Sequence, residues 1–257
     1  MDTSVKSYDD TTLFCPAGMQ QFKSLFKDPT YTGTTSNIQS CLRLNDIDEI
    51  GDGSHLLYFN MIGLFSFRDW DVSKAINFWM EFLDRIGIQP DYITIHPDKP
   101  EWVEFYKSYN VEIRFDKECE WSDGEIGGYC TEFFKDGIEI GNIVNPLGTC
   151  IDVGFGLERL EMILNKLGKS KEQTLNDTVI KIIESGFKPS HYGEGYVLKK
   201  LLRMSYKQGV VIDHQYYHDE ILRQEKILKN YNRLKRRNSD KSKEWWWNTH
   251  GIDLDLL

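Results

Sequence analysis

The sequence has no paired cysteines. Its five (Cys15, Cys41, Cys119, Cys130 and Cys150) are scattered, odd in number and without a C-x-x-C spacing. That argues against a disulfide framework or a structural zinc site and predicts free thiols in a reducing cytoplasm. The chain also lacks any apolar run approaching about eighteen residues, and its start is polar, so neither a membrane span nor a signal peptide is expected. There is no basic excess. With a net charge of −9, general attraction to nucleic acid or membrane is not expected, and any RNA contact would need a local patch. Internal repeats and low-complexity tracts are absent, and so is the lysine-bearing Gly-rich loop of P-loop enzymes.

What remains is an ordinary globular composition, 40% hydrophobic and 28% charged over 257 residues, enough for one large domain or a domain with a helical appendage. Residues 1–10 are polar. Met19, Phe22 and Phe26 share a helical face, and Asp28-Pro29 with Gly33 makes a loop. Residues 40–44 and 56–67 read as two strands of a long antiparallel hairpin, joined by an acidic connector and a Gly51-Asp52-Gly53 turn. The second strand is nearly unbroken apolar, which predicts burial on both faces. Val72 to Leu83 is amphipathic (Val72, Ile76, Trp79, Met80, Leu83), and Glu101 to Tyr109 reads as another helix. Residues 91–96, 111–115, 129–134 and 138–144 are further strand candidates. The expected class is α+β, a mostly antiparallel sheet flanked by helices over residues 1–166, followed by a helical region over 167–257 with patterns at 170–185, 195–208 and 216–237.

The chain is organised around Thr149-Cys150-Ile151-Asp152-Val153-Gly154-Phe155-Gly156-Leu157-Glu158-Arg159-Leu160. An apolar run enters, two glycines break it, and an amphipathic pattern leaves, which reads as a strand turning into a helix. Arginine in a first helical turn is disfavoured by the macrodipole, and a bound anion would offset that. If Arg43, on the hairpin, faces the same cleft, two guanidiniums are placed to clamp a triphosphate. Asp152 could then hold a small ammonium group, with Asn142 beside it. The arginines could equally be surface ion-pair partners, Asn142 a turn residue and Asp152 a satisfied loop acid.

These residues resemble the catalytic core of alanyl-tRNA synthetase, a class II aminoacyl-tRNA synthetase. Asp152 to Arg159 resembles the family's D-T-G-M-G-L-E-R, and Leu13-Phe14-Cys15-Pro16-Ala17-Gly18-Met19-Gln20-Gln21-Phe22-Lys23 resembles L-L-F-T-N-A-G-M-N-Q-F-K. Cys41-Leu42-Arg43, the stretch from Asn45 to Gly51, and Phe59 to Phe67 resemble the second motif. Cys130-Thr131-Glu132-Phe133-Phe134 is similar to C-T-E-I-F, and Ile138 to Val144 to Y-I-E-I-W-N-L-V. Gly195 to Arg203 resembles G-Y-V-L-R-R-I-I-R, and Thr249 to Leu256 resembles T-Y-G-F-P-L-D-L. The blocks are collinear, and many collinear blocks are specific where one is weak.

The resemblance implies a class II fold and formation of an aminoacyl adenylate from ATP, with Mg²⁺, and alanine or another small amino acid. It implies that Arg43 and Arg159 hold the ATP phosphates, with His55 and Phe59 also on the nucleotide. Asp152 would bind the α-ammonium, and Trp121, Asn142 and Gly154 would line the amino-acid site. The carboxylate itself attacks the α-phosphorus, so catalysis would be positioning and charge neutralisation.

There are departures from the family pattern. The second-motif loop is short, Ser54 precedes a single His55, and Asn60 stands where the family has glutamate. The first motif and the editing and carboxy-terminal domains are not expected. Gly193, Glu194 and Met204 replace an asparagine and two arginines suited to an acceptor stem, leaving Lys199, Lys200, Arg203 and the Lys235-Arg236-Arg237 run. These losses favour a non-tRNA amine acceptor over a minimal alanine–tRNA ligase or a catalytically silent amino-acid-binding paralogue. Oligomeric state is left open.

Overall fold

The computed structural model describes residues 3–45 and 47–250, with backbone alone at 247, 248 and 250. Asp46, and the closing resemblance block from Gly251 onward, therefore lie outside the described residues. The chain divides into two compact units, Met1–Thr174 and Leu175–Leu257. The division falls inside a helix, eight residues beyond the compositional change near residue 166.

The first unit is built on one sheet. Its strands are β1 (Gly33–Leu42), β2 (Tyr58–Phe67), β3 (Tyr92–Ile95), β4 (Glu112–Phe115), β5 (Glu120–Ser122), β6 (Gly127–Lys135), β7 (Ile138–Val144) and β8 (Cys150–Gly156). They run β1-β2-β8-β7-β6-β3-β4 across the sheet, and β5 pairs with β6 at one side. Every pairing is antiparallel except β3 with β4. This is the α+β sheet that the sequence predicts. The hairpin is longer than its apolar run, because the polar residues from Gly33 to Asn37 extend β1 against Phe67 to Gly63.

Side chains alternate across a strand, so each inner strand has two faces to satisfy. One face is apolar, with Phe133, Ile143, Ile151, Val153 and Phe155 at or near zero exposure. The helix α2 (Val72–Arg85) covers it. Asp71 caps that helix by accepting from the Lys74 amide at 2.7 Å, and Val72, Ile76, Trp79, Met80 and Leu83 form its buried stripe. Trp79 stacks on Phe155 with ring centroids 4.5 Å apart and planes 9° apart. Each of these large side chains, once buried, contributes roughly 1.5–3 kcal/mol. Gly141 makes the packing possible: a Cβ there would lie 2.4 Å from the Phe155 ring. The second apolar strand is buried on both faces only in its later half, since Tyr58 to Ile62 are half-buried.

Two helical patterns of the first unit are less regular than their sequences suggest. The Met19 to Phe26 pattern is one 3-10 turn (Gln20–Phe22) followed by α1 (Lys23–Lys27), and the segment Pro100–Tyr106 is a 3-10 helix. β5 was not legible in the sequence. α3 (Leu157–Asn165) leaves β8 at Gly156, giving the predicted strand-to-helix turn, and ends on Lys166 in the left-handed region, φ 54°. α4 (Lys171–Glu184) spans the division between the units. The second unit contains α5 (Gly193–Lys207), α6 (Gln215–Lys235) and α7 (Lys243–His250). No helix among the described residues is long and apolar enough to cross a membrane.

Candidate active site

The second face of the sheet is not filled by apolar side chains. Gly63, Gly154, Asn142, Glu132 and Thr94 are cross-strand neighbours in one row through β2, β8, β7, β6 and β3. With two glycines in the row, the floor is low. A cleft of about 750 Å³ opens over it, a size suited to a small organic substrate. Arg43, Phe59, Trp121, Asn142, Asp152, Gly154 and Arg159 all line it. The structure thus brings together seven of the eight residues singled out from sequence.

His55 is the exception. It lies in the loop before β2, its Nδ1 2.5 Å from Asp52 and its Nε2 3.1 Å from Glu49, and is not part of the cleft lining. Hydrogen bonds from the His55 and Ser54 amides and side chains hold the Asp52 carboxyl well below its ordinary value, against the opposing effect of burial.

Arg43 follows β1 directly. Its amide donates to Leu57 O and its Nε to Pro16 O, both at 2.9 Å, and its guanidinium lies 5.1 Å from the Phe59 ring centroid. The backbone and one edge are therefore fixed, while the η nitrogens have no partner among the described residues. Arg159, in the first turn of α3, donates from one Nη to Glu139 O at 2.7 Å, with the Glu139 carboxylate at 3.7 Å. Both guanidiniums are pre-oriented and incompletely satisfied, which is what an anion needs.

Asp152 is 9% exposed and points from the middle of β8 into the cleft. Neither a hydrogen bond nor an ion pair reaches its side chain among the described residues. Burial, with a smaller contribution from the charge of Asp123, pushes its carboxyl up to about 7. Asp123 itself is engaged by Lys23 at 2.8 Å, and Lys23 also reaches Asp9 at 2.9 Å. Gly154, two residues on, gives the floor its depth: a Cβ there would meet Met61 Sδ at 3.0 Å. Asn142 faces it across the ladder and donates to Glu139 at 3.4 Å. Trp121, on β5, borders the cleft from the side.

Sequence reading missed four acids of the lining: Asp123, Glu132, Glu139 and Glu158. Glu139 stands three residues before Asn142 and is left with lone pairs open by its long contacts. Glu158, adjacent to Arg159, accepts from the Asn60 amide at 2.8 Å and from Asn60 Nδ2 at 2.9 Å, locking α3 to β2. This gives Asn60 its physical sense: a glutamate there would set two carboxylates against each other, whereas an amide donates. Burial raises the Glu158 carboxyl, and burial with the charge of Glu139 raises that of Glu132. The period-2 alternation of β6 was the available signal for Glu132. Glu139, an odd three residues before Asn142, comes to the same side where the β6–β7 register shifts, which alternation does not reveal.

The second unit treats its cations differently. Arg203 is buried, its Nε 2.5 Å from Glu220 Oε1, and Arg223 and Gln224 donate to the same oxygen at 3.0 and 2.7 Å. Lys199 is also buried, and burial, with the nearby Arg223 charge, lowers its pKa. Lys200 and the Lys235-Arg236-Arg237 run are exposed. The three cations expected to form a patch on α5 are thus split, with two directed into the packing between α5 and α6.

Over residues 2–143 the chain matches the family model for tRNA synthetases class II (A). An alanine–tRNA ligase of Endomicrobium trichonymphae is 30% identical over an alignment of 285 residues, covering 81% of this chain and 32% of that protein. The alanine–tRNA ligase of Desulfitobacterium hafniense strain Y51 is 25% identical over 324, covering 90% and 37%. Among solved structures, apo S. aureus histidyl-tRNA synthetase is 13% identical, covering 59% of this chain and 52% of its own, with a TM-score of 0.42. The chain spans about a third of the length of these alanine–tRNA ligases.

Proposed function

The chain belongs to the class II (A) tRNA synthetase family and carries a ligase domain of that kind, and from this premise we propose that it condenses alanine with ATP to give alanyl adenylate and pyrophosphate. A carboxylate oxygen of alanine attacks the α-phosphorus and pyrophosphate leaves, so no general base is needed. Arg43 binds the α-phosphate end and Arg159 the γ-phosphate end, neutralising charge as the α-phosphorus becomes five-coordinate. Phe59 stacks on adenine. Asp152 pairs with the α-ammonium, Asn142 lies against the same substrate, and Trp121 and Gly154 bound the space for a methyl side chain. His55, held by two acids outside the lining, has no part in this scheme.

Mg²⁺ is implied as well. The cleft lining includes more acids than arginines, so a tetra-anionic nucleotide needs a counter-charge there. An oxygen-only donor suits a hard dication, and the partly unsatisfied carboxylate of Glu139 is the residue that would hold it together with phosphate oxygens. Bound there, Mg²⁺ would neutralise phosphate charge.

The observation that carries this reading is the convergence of two part-satisfied guanidiniums and one unpartnered buried acid on a single cleft. The test is ATP–pyrophosphate exchange across all twenty amino acids. Exchange dependent on alanine or a similarly small amino acid supports the proposal; none with any amino acid removes it.

For the acceptor, the reading is a small amine outside tRNA, with the enzyme acting as an amide-forming ligase in the cytoplasm. Its support is the commitment of Arg203 to Glu220 and the presence of Glu194 at the start of α5, where it would repel a phosphate. A minimal alanine–tRNA ligase is the second reading, favoured by the relatives' own activity. Labelled-alanine transfer to total tRNA, set against a panel of amines, separates the two.

A further inference from the structure

We propose that Cys119, Cys130 and Glu132 form a site for a thiophilic divalent cation, zinc by preference, beside Trp121. Cys130 and Glu132 are two apart on β6 and so share a face. Cys119 immediately precedes β5, and its carbonyl accepts from the Cys130 amide at 2.9 Å, which sets it opposite Cys130. One sulfur from each cysteine and one oxygen from Glu132 lie within 4.8 Å of one another, with Cys130 Sγ 3.7 Å from Glu132 Oε1. Around a tetrahedral zinc, with Zn–S about 2.3 Å and Zn–O about 2.1 Å, ligand atoms are separated by roughly 3.4–3.8 Å. The cluster is therefore nearly assembled without the ion.

The donor set selects the class of metal. Two thiolates and one carboxylate suit zinc and exclude the all-oxygen preference of Mg²⁺ or Ca²⁺. Charge points the same way. No Lys, Arg or His approaches Glu132 among the described residues; its hydrogen bonds come from the Thr94 hydroxyl at 3.0 Å and from the thiols of Cys119 and Cys130. Binding zinc would release two thiol protons and add one dication, leaving the charge of the buried cluster unchanged while giving the carboxylate a cationic partner. Thr94 Oγ1 also receives the Cys119 thiol at 2.8 Å, so one hydroxyl orients two of the three ligands. The remaining coordination position belongs to water entering from the cleft, which Glu132 lines.

The consequence is mechanical. β5 has three residues and pairs only with β6, yet it carries Trp121, which packs against Cys119, Cys130 and Val144. A metal joining Cys119 to Cys130 and Glu132 would fix that strand and the position of the indole. The cysteine spacing hid this site, because strand pairing closes an eleven-residue separation that no sequence motif marks.

The test does not depend on ligase activity. The full chain, reduced and dialysed against chelator, is titrated with Zn²⁺ under chelator competition and, separately, with Co²⁺. The expected result is about one metal per chain, release of about two protons per zinc, and a thiolate-to-cobalt charge-transfer band. Cys119→Ser, Cys130→Ser and Glu132→Gln should each weaken binding about tenfold or more. The cobalt band in the unmutated protein reports thiolate ligation directly, so a variant that fails to fold does not remove the test. A cobalt complex without that band, full zinc affinity in the Cys119→Ser/Cys130→Ser double variant, or no bound metal would each overturn the proposal.

Discussion

Replacing Asp152 with asparagine should make the protein more stable and less able to bind its amino acid. The carboxyl rises from 3.8 to about 7 because burial disfavours its charged form and Asp123 adds repulsion. At about 1.4 kcal/mol per unit, the ionised side chain costs the fold about 4 kcal/mol at pH 8. The folded value lies above the unfolded one, so Asp152 detracts almost nothing below about pH 3, detracts progressively as pH rises from there to about 7, and reaches its full effect above 7. Asparagine keeps the shape without the charge. Asp152→Asn should therefore gain about 4 kcal/mol over the parent at pH 8, roughly 1–2 kcal/mol at pH 5, and under about 1 kcal/mol at pH 4. Urea titration of the full chain at the three pH values, read by tryptophan fluorescence, measures this directly. A variant no more stable than the parent at pH 8 would refute the picture of an isolated buried acid.

Binding completes the same prediction. In the parent, Asp152 must be ionised to pair with an α-ammonium, so alanine affinity should fall about tenfold for each pH unit below about 7. In Asp152→Asn the affinity should be weaker by roughly 1.5–3 kcal/mol at pH 8 and lose that pH dependence. Calorimetry at pH 6 and pH 8 gives both numbers. Equal slopes in parent and variant would assign the pH dependence to another group.

Arg159→Ala should reduce pyrophosphate exchange by on the order of 10²-fold or more, since it removes a charge-assisted contact that strengthens toward the transition state; exchange at the parental rate would dismiss it as a surface arginine. Gly154→Val should raise the KM for the amino acid by on the order of tenfold, by filling the floor beside Asn142 and Met61, while circular dichroism stays unchanged. Arg203→Ala should destabilise the helical unit by roughly 3–5 kcal/mol, because it leaves Glu220 buried and uncompensated; a stable variant with weakened RNA binding would instead place Arg203 on a nucleic-acid surface.

The sequence made much of this architecture legible, for identifiable reasons. The amphipathic stripe of α2 and the apolar runs of β2 and β8 are periodic, and period is what a buried face imposes. Arg43 and Arg159 could be found because each is a charge just beyond a strand, and Asp152 because it is a charge inside the otherwise uncharged run of β8. The three-residue β5 could not, being too short to show a period; it exists because β6 offers it an edge. Glu132 and Glu139 looked like solvated strand residues until the sheet order placed them over the same floor as Asn142. His55 stands apart from the other residues singled out. Its position beside the second motif suggested a nucleotide contact, but two nearby acids in the same loop hold it outside the lining.

Two buried acids show how differently the units use charge. Glu220, in the helical unit, receives Arg203, Arg223 and Gln224, and its carboxyl is held below its ordinary value despite burial. Its charge is already compensated, so it acts as scaffold, and the arginine that compensates it is unavailable to a polyanion. Asp152 is about as buried and has no such donor, and its carboxyl is raised. A protein retains an acid in that condition when its partner arrives with the ligand. The ligand must then bring a cation to Asp152 and anions to the free edges of Arg43 and Arg159 in the same cleft. An α-amino acid beside a nucleoside triphosphate meets both demands, and an amino acid lacking its α-ammonium group would leave Asp152 as costly bound as free.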